Sequence, residues 1–246
     1  MHFVTDHPFL KLVDAIYVIN LEHRTDRRAE MQAQLARIGL GYDDPRVTLF
    51  AAVKPSGAGN FPNIGSRGCY MSHLEILRDA HAKGLDNVLI LEDDADFTSL
   101  LSEGSPEKIS QIQQSSWDMF FFGSIYEAAE NITQRNDIFS VLPKNAGLKL
   151  THALLLKRDM IAALIPYLEA MAARPLGDPD GGPMHVDGAY FWFHRAHPEF
   201  TVCFTNQQWV VQRASRTDIH AAGWKDKLPF IDTARRIKNK LKQAFR

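Results

Sequence analysis

The sequence predicts an α/β fold with a mostly parallel central sheet flanked by helices. Three observations carry this expectation. Apolar runs of strand length recur along the chain, stretches with helical apolar spacing separate them, and short Gly/Pro-rich segments punctuate the alternation. The clearest strand is Val88–Leu91, a continuous apolar run of the kind buried on both faces of a parallel sheet.

The elements follow in order. Asp14–Leu21 (DAIYVINL) reads as a first core strand with a polar exit from Asn20 to Arg24. Thr25 or Asp26 can cap a helix to about Ile38, with Met31, Leu35 and Ile38 on one face and Gly39 as its stop. Val47–Val53 is a second strand, and Lys54–Gly65 a loop rich in Gly, Pro and Asn. Gly68 is expected to open a helix running to Lys83, with Met71, Leu74, Leu77 and Ala80 aligned. Ser105-Pro106 marks another helix start. Trp117–Gly123, Ile138–Leu142, Leu148–Leu156 and Phe200–Thr205 read as strands. Asp159–Ala172 reads as a helix interrupted at Pro166, and Val186–His194 as a short aromatic helix after the loop Arg174–Pro183. Residues 1–231 are expected to form one domain, followed by a basic amphipathic helix over 232–246.

Composition narrows the function. Six cations (Arg235, Arg236, Lys238, Lys240, Lys242 and Arg246) crowd the last twelve residues, while the whole chain carries a formal charge of −1. The rest is therefore acidic, which argues against nucleic acid as the partner. Cys69 and Cys203 form no CxxC motif and no disulfide framework, so a reducing, cytoplasmic setting is expected. The first twelve residues lack the apolar core of a signal peptide. No run of about 18 apolar residues exists to span a bilayer. In that setting the sequon Asn131-Ile132-Thr133 is chance.

The strand Val88–Leu91 breaks off into Glu92, Asp93, Asp94 and Asp96, four carboxylates within five positions. Like charges this close repel unless a cation lies among them. Hard oxygen ligands select Mg²⁺ or Mn²⁺, ions that commonly arrive bridged to phosphates, and ligands of open α/β sheets bind at the carboxyl ends of strands. The competing reading is a solvated turn that caps a following helix.

Three segments together point further: Tyr17–Arg28 (YVINLEHRTDRR), Gly68–His73 (GCYMSH) and Leu89–Asp94 (LILEDD). At these residues the sequence resembles glycosyltransferase family 25, which contains bacterial lipooligosaccharide galactosyltransferases and is related to collagen galactosyltransferases. The resemblance extends more weakly to Pro183–Asp187 and Thr217–Ile219, with Thr217 standing where Ser is common. It implies a GT-A-like fold, a nucleotide-sugar donor (commonly UDP-galactose) and a divalent metal. It also implies a saccharide or glycolipid acceptor.

Within that frame Asp94 is the expected first metal ligand, with Glu92 binding directly or through water and Asp93 facing ribose or sugar hydroxyls. Asp96 is expected to cap backbone instead. Asn20, Arg24 and Arg27 are candidates for the base, ribose and diphosphate region, with Arg28 on a solvated helix face. The resemblance places Ser72 and His73 in the pocket wall. Asp187 is the expected general base, because an inverting transfer needs a carboxylate to take the acceptor hydroxyl's proton; His185 is the alternative and His220 a weaker metal candidate. Ile237, Leu241 and Phe245 draw an apolar stripe amid the six terminal cations, the pattern of a helix lying on an anionic membrane. Two readings compete: a haloacid-dehalogenase-like phosphatase using Asp94 and Asp96 of a DxDxT-like run, and a nucleotide-sugar-binding module without turnover.

Overall fold

The computed structural model describes residues 7–126, 132 and 134–213. A 3-10 turn, Pro8–Leu12, leads into β1 (Ala15–Asn20), α1 (Thr25–Ala36), β2 (Val47–Ala51), α2 (Ile64–Ala82), β3 (Asn87–Glu92) and β4 (Ala95–Phe97). Then come α3 (Ser99–Ser102), α4 (Pro106–Gln114), β5 (Met119–Phe121), β6 (Phe139–Val141) and β7 (Ala153–Lys157). The described part closes with α5 (Arg158–Ala173), α6 (Val186–Ala196), β8 (Val202–Thr205) and β9 (Val210–Gln212).

Seven strands form the central sheet in the order β2-β1-β3-β7-β5-β8-β6. Five run in one direction and β7 and β6 oppose them, so the expected mostly parallel sheet is observed. Because side chains alternate along a strand, each central strand feeds two cores. Ile16, Val18, Leu89, Leu91, Phe120 and Leu155 pack with α1 and α4 on one face. Ala15, Tyr17, Val88, Ile90, Phe121 and Leu154 pack with α2, α5 and α6 on the other. This is why Val88–Leu91 reads as one unbroken apolar run: every side chain has a core to enter.

Several elements differ from expectation, each for a local reason. The helix expected from Gly68 begins at Ile64, because Asn63 caps it: its side chain accepts from the Ser66 amide at 2.8 Å and its own amide donates to Ser66 Oγ at 3.2 Å. Pro166 does not interrupt α5, which runs unbroken from Arg158 to Ala173. Its cost, about 3 kcal/mol in a helix interior, is offset by burial of Met160, Ile161, Leu164 and Leu168 on either side. The expected strand 148–156 is split: Lys149 makes an isolated antiparallel bridge with Ile125, Leu150 turns into positive φ, at 74°, and regular pairing begins at Ala153 in β7. A small second sheet, β4 with β9, was not anticipated. The basic helix expected over 232–246, Thr217–Ile219 and His220 lie outside the described residues.

Candidate active site at the acidic strand ends

Parallel pairing of β1 with β3, in a register that opposes Ile19 to Glu92, brings the carboxyl ends of two core strands side by side. Asn20 ends one and the acidic run leaves the other. Buried Asn20 donates through Nδ2 to Asp93 Oδ2 at 2.7 Å and to the Arg24 carbonyl at 3.2 Å, so it ties both exits together. Arg27, in the first turn of α1, reaches back to Asp93 Oδ1 at 2.7 Å and Asp94 Oδ2 at 3.6 Å.

The four carboxylates are compensated unequally. Asp93 has Asn20 and Arg27. Asp96 lies within β4, where the Arg213 guanidinium bonds it, its Nε donating to Oδ1 at 3.0 Å and to Oδ2 at 3.1 Å, and Arg213 also pairs with Glu30. Glu92 and Asp94 fare worse. Burial first, then the neighbouring Asp94 charge, pushes the Glu92 carboxyl up to about 8, although Thr151 Oγ1 donates to it at 3.0 Å. Burial also pushes Asp94 up to about 6 against the pull of Arg27. Gln212 Nε2 stands 3.5 Å from both Asp94 oxygens. Two oxygen-donor side chains short of positive charge are what a hard divalent cation would relieve, so the residues present fit such an ion.

The opposite wall is α2. Ser72 accepts from the Val53 amide at 2.8 Å and donates to the Gly68 carbonyl at 2.7 Å, clamping the exit of β2 onto the helix. Gly68 permits that approach, since a Cβ there would meet the Val53 carbonyl at 2.8 Å. Between this wall and the strand ends lies a cavity of about 280 Å³. Its lining joins apolar Ile19, Leu21, Val53 and Ile64 to Arg27, Lys54, Cys69, Ser72, Glu92 and Asp93. Apolar walls with a few converging charges are typical of a small-ligand site.

His73, one turn beyond Cys69, is fully buried, with Nδ1 at 2.9 Å from the Tyr190 hydroxyl of α6. Burial lowers its pKa to about 4, so the imidazole is neutral. Asp187, in the first turn of α6, is not among the residues lining the cavity, but its charge reaches Cys69, which is. Burial, followed by the negative fields of Glu92, Asp187 and Asp94, drives the Cys69 thiol well above its ordinary range. One Asp187 oxygen accepts from the Gly188 amide at 2.8 Å.

Other sequence candidates are placed differently. Arg24 folds back onto Asp26 at 2.9 Å and is not among the residues lining the cavity. Arg28 donates to Asn20 Oδ1 at 3.3 Å and to the Glu22 carbonyl at 3.1 Å, so it braces the loop and is not simply solvated. His185 is exposed at the N-cap of α6. Sequence reasoning passed over Cys69, Thr151, Gln212 and Arg213. The i, i+4 spacing of Cys69 and His73 was the one local signal available.

Comparison with known proteins finds similarity to one family over part of this site. Residues 63–146, about a third of the chain, match glycosyltransferase family 25, described as an LPS biosynthesis protein family. That segment holds α2, Cys69, Ser72, His73 and the acidic run; Asn20, Arg27 and Asp187 fall outside it. A glycosyltransferase 25 family member of Aedes aegypti is 29% identical over 140 residues, half of this chain and 23% of that protein. An inactive glycosyltransferase 25 family member 3 of Homo sapiens is 30% identical over 129 residues, 45% of this chain and 22% of that protein. Procollagen galactosyltransferase 1-B of Xenopus laevis is 23% identical over 128 residues. The matches thus span less than a quarter of the length of these relatives. The chain is similar to family 25 at the helix and strand end that build the cavity.

Proposed function

We propose that this chain, similar to glycosyltransferase family 25 over residues 63–146, is an inverting glycosyltransferase that moves a hexose from a UDP-sugar to a saccharide hydroxyl. The observation that carries the reading is the cavity at the paired ends of β1 and β3, lined by Arg27 and the under-compensated Glu92 among apolar side chains, with Asp94 two residues further along. Galactose is the proposed sugar, because the family resemblance and the procollagen galactosyltransferase name both point to it. The proposed acceptor is a lipooligosaccharide core or similar surface glycan.

In this reading Asp94 and Glu92 would hold Mn²⁺ or Mg²⁺, which when bound supplies positive charge to the leaving diphosphate. Arg27 adds a fixed cation on the same side, and its bonds to Asp93 hold it there before the donor arrives. Ile19, Leu21 and Val53 offer a dry surface to the nucleoside. Asn20 and Ser72 act as positioning residues that fix the two strand exits. Asp187, on the helix opposite, takes the acceptor hydroxyl's proton as the new bond forms. The phosphatase reading loses ground, because its second aspartate, Asp96, is bonded to Arg213 inside β4. An inactive binding module would share the cavity but not the need for Asp187.

The basic stripe over 232–246 is proposed to dock on anionic lipid, bringing a lipid-linked acceptor near; each cation close to the surface contributes about 1 kcal/mol. No helix among the described residues is long and apolar enough to cross a membrane. The function is tested by a thermal-shift panel of nucleotide sugars with and without Mn²⁺, since only a bound species raises the melting point. UDP-galactose with Mn²⁺ is expected to give the largest rise. Equal response to all sugars, or none to any, would overturn the donor assignment.

A further inference from the structure

We infer that Cys69, His73 and Glu92 form a second metal site, one that takes Zn²⁺ in preference to Mn²⁺ or Mg²⁺, on the wall of the cavity. One sulfur, one imidazole nitrogen and one carboxylate oxygen from these residues all lie within 4.8 Å of one another. Two of the three stand one turn apart on α2 and the third ends β3, so rigid elements present them from both sides.

His73 supplies the independent observation. It is fully buried, and its Nε2 has no hydrogen-bond partner among the described residues. A buried polar atom without a partner destabilises the fold, and an electron-pair acceptor at that atom would remove the cost. The other ring nitrogen sits 2.9 Å from the Tyr190 hydroxyl, which fixes the plane of the ring. Metal-bound histidines are commonly held by such a second contact.

The donor set decides the metal. A thiolate and an imidazole favour zinc and disfavour Mg²⁺ and Mn²⁺, which prefer oxygen. Tetrahedral zinc bonds of about 2.0–2.3 Å place donors roughly 3.5 Å apart, a modest closure from the present spread. On binding, the Cys69 thiol gives its proton to solvent and the sulfur donates its pair to the ion. Cys69 and Glu92 both line the cavity, so a fourth position faces the donor's space. Glu92 belongs to both sites. Zinc here draws one ligand away from the oxygen site, and the two metals compete.

The site does not depend on sugar transfer, and its test is a binding measurement on the full chain after dialysis against EDTA. Co²⁺ serves as the optical probe for zinc, because cobalt bound to a thiolate shows a charge-transfer absorption. Wild type is expected to develop this band to saturation at one equivalent and to lose it when Zn²⁺ is added. Cys69→Ser, which keeps the side chain's size, is expected to abolish the band. Tyr190→Phe is expected to keep it with an affinity about 10–100-fold weaker. Asp94→Asn is expected to retain the band while losing Mn²⁺ binding, read by electron paramagnetic resonance. If Asp94→Asn bound Mn²⁺ normally, the oxygen-site assignment would fail and the zinc site would stand. No thiolate band in wild type, or a band of equal strength in Cys69→Ser, would overturn the zinc site.

Discussion

Asp94 and Asp96 lie two residues apart in one acidic run, both buried, yet their surroundings differ in kind. Asp96 sits in β4 against the Arg213 guanidinium, a cation contributed from 117 positions along the chain. Asp94 shares Arg27 with Asp93 at 3.6 Å and keeps a carboxyl pushed up to about 6 by burial. Glu92 goes further in the same direction, to about 8. A carboxylate whose charge the fold has already matched serves the fold. Carboxylates left short of positive charge beside a cavity are where an incoming cation gains most. The chain therefore sets charge-matched and under-compensated carboxylates side by side within five residues.

Substitutions can break this comparison, and the largest effect is expected at the under-compensated end. Asp94→Ala should lower transfer turnover by about three orders of magnitude or more, because the ion's contribution at a leaving diphosphate is several kcal/mol. Its thermal midpoint should stay near wild type, since the change removes a buried charge that the fold stabilises poorly. Asp187→Asn should reduce turnover by about two orders of magnitude with little change in UDP-sugar affinity, as expected of a proton acceptor that leaves donor binding alone. A mutant with wild-type turnover would move the base elsewhere, with His185 next to test.

At the matched end the currency changes from rate to stability. Asp96→Asn leaves the Arg213 charge buried without its main partner and should cost about 3–5 kcal/mol in urea unfolding. The folded fraction should keep its turnover. A loss of rate without a loss of stability would erase the distinction between the two aspartates. The smallest effect is expected far from both, at His194 on α6, whose Nε2 lies 3.2 Å from the Pro143 carbonyl. Burial first, with Lys144 adding to it, lowers its pKa below the ordinary 6.5. The unfolded chain therefore binds the proton more readily, and His194 withdraws stability as pH falls below about 6.5. Melting of His194→Gln against wild type at pH 7.5 and pH 5 should show the variant gaining relative stability at the lower pH.

Much of this arrangement was legible in the sequence. The core strands β1 and β3 announced themselves because both faces are buried, which leaves no polar alternation to confuse the pattern. The acidic run was visible for the same reason: it follows the strongest strand. What stayed hidden was partnership at a distance. Nothing near Asp96 foretold Arg213, and three-residue strands such as β4 and β9 carry too little pattern to find. The start of α2 was hidden by its own cap, since Asn63 and neighbouring Gly and Pro resemble loop residues and Ser66 stands where Glu or Gln would have signalled a capping box. Cys69 was passed over because a single cysteine has no motif of its own; only the fold sets it beside His73 and Glu92.

Whether the acidic strand end holds the ion is decided by Mn²⁺ affinity with and without UDP, compared between wild type and Asp94→Ala, together with transfer assayed in EDTA. Wild type is expected to bind Mn²⁺ more tightly when UDP is present, because on the proposed function the ion and diphosphate share one site and each favours the other. Asp94→Ala is expected to lose this coupling, and EDTA to abolish transfer by the wild-type protein. An Asp94→Ala protein that kept the coupling, or that transferred sugar at the wild-type rate in EDTA, would contradict the assignment of the acidic strand end.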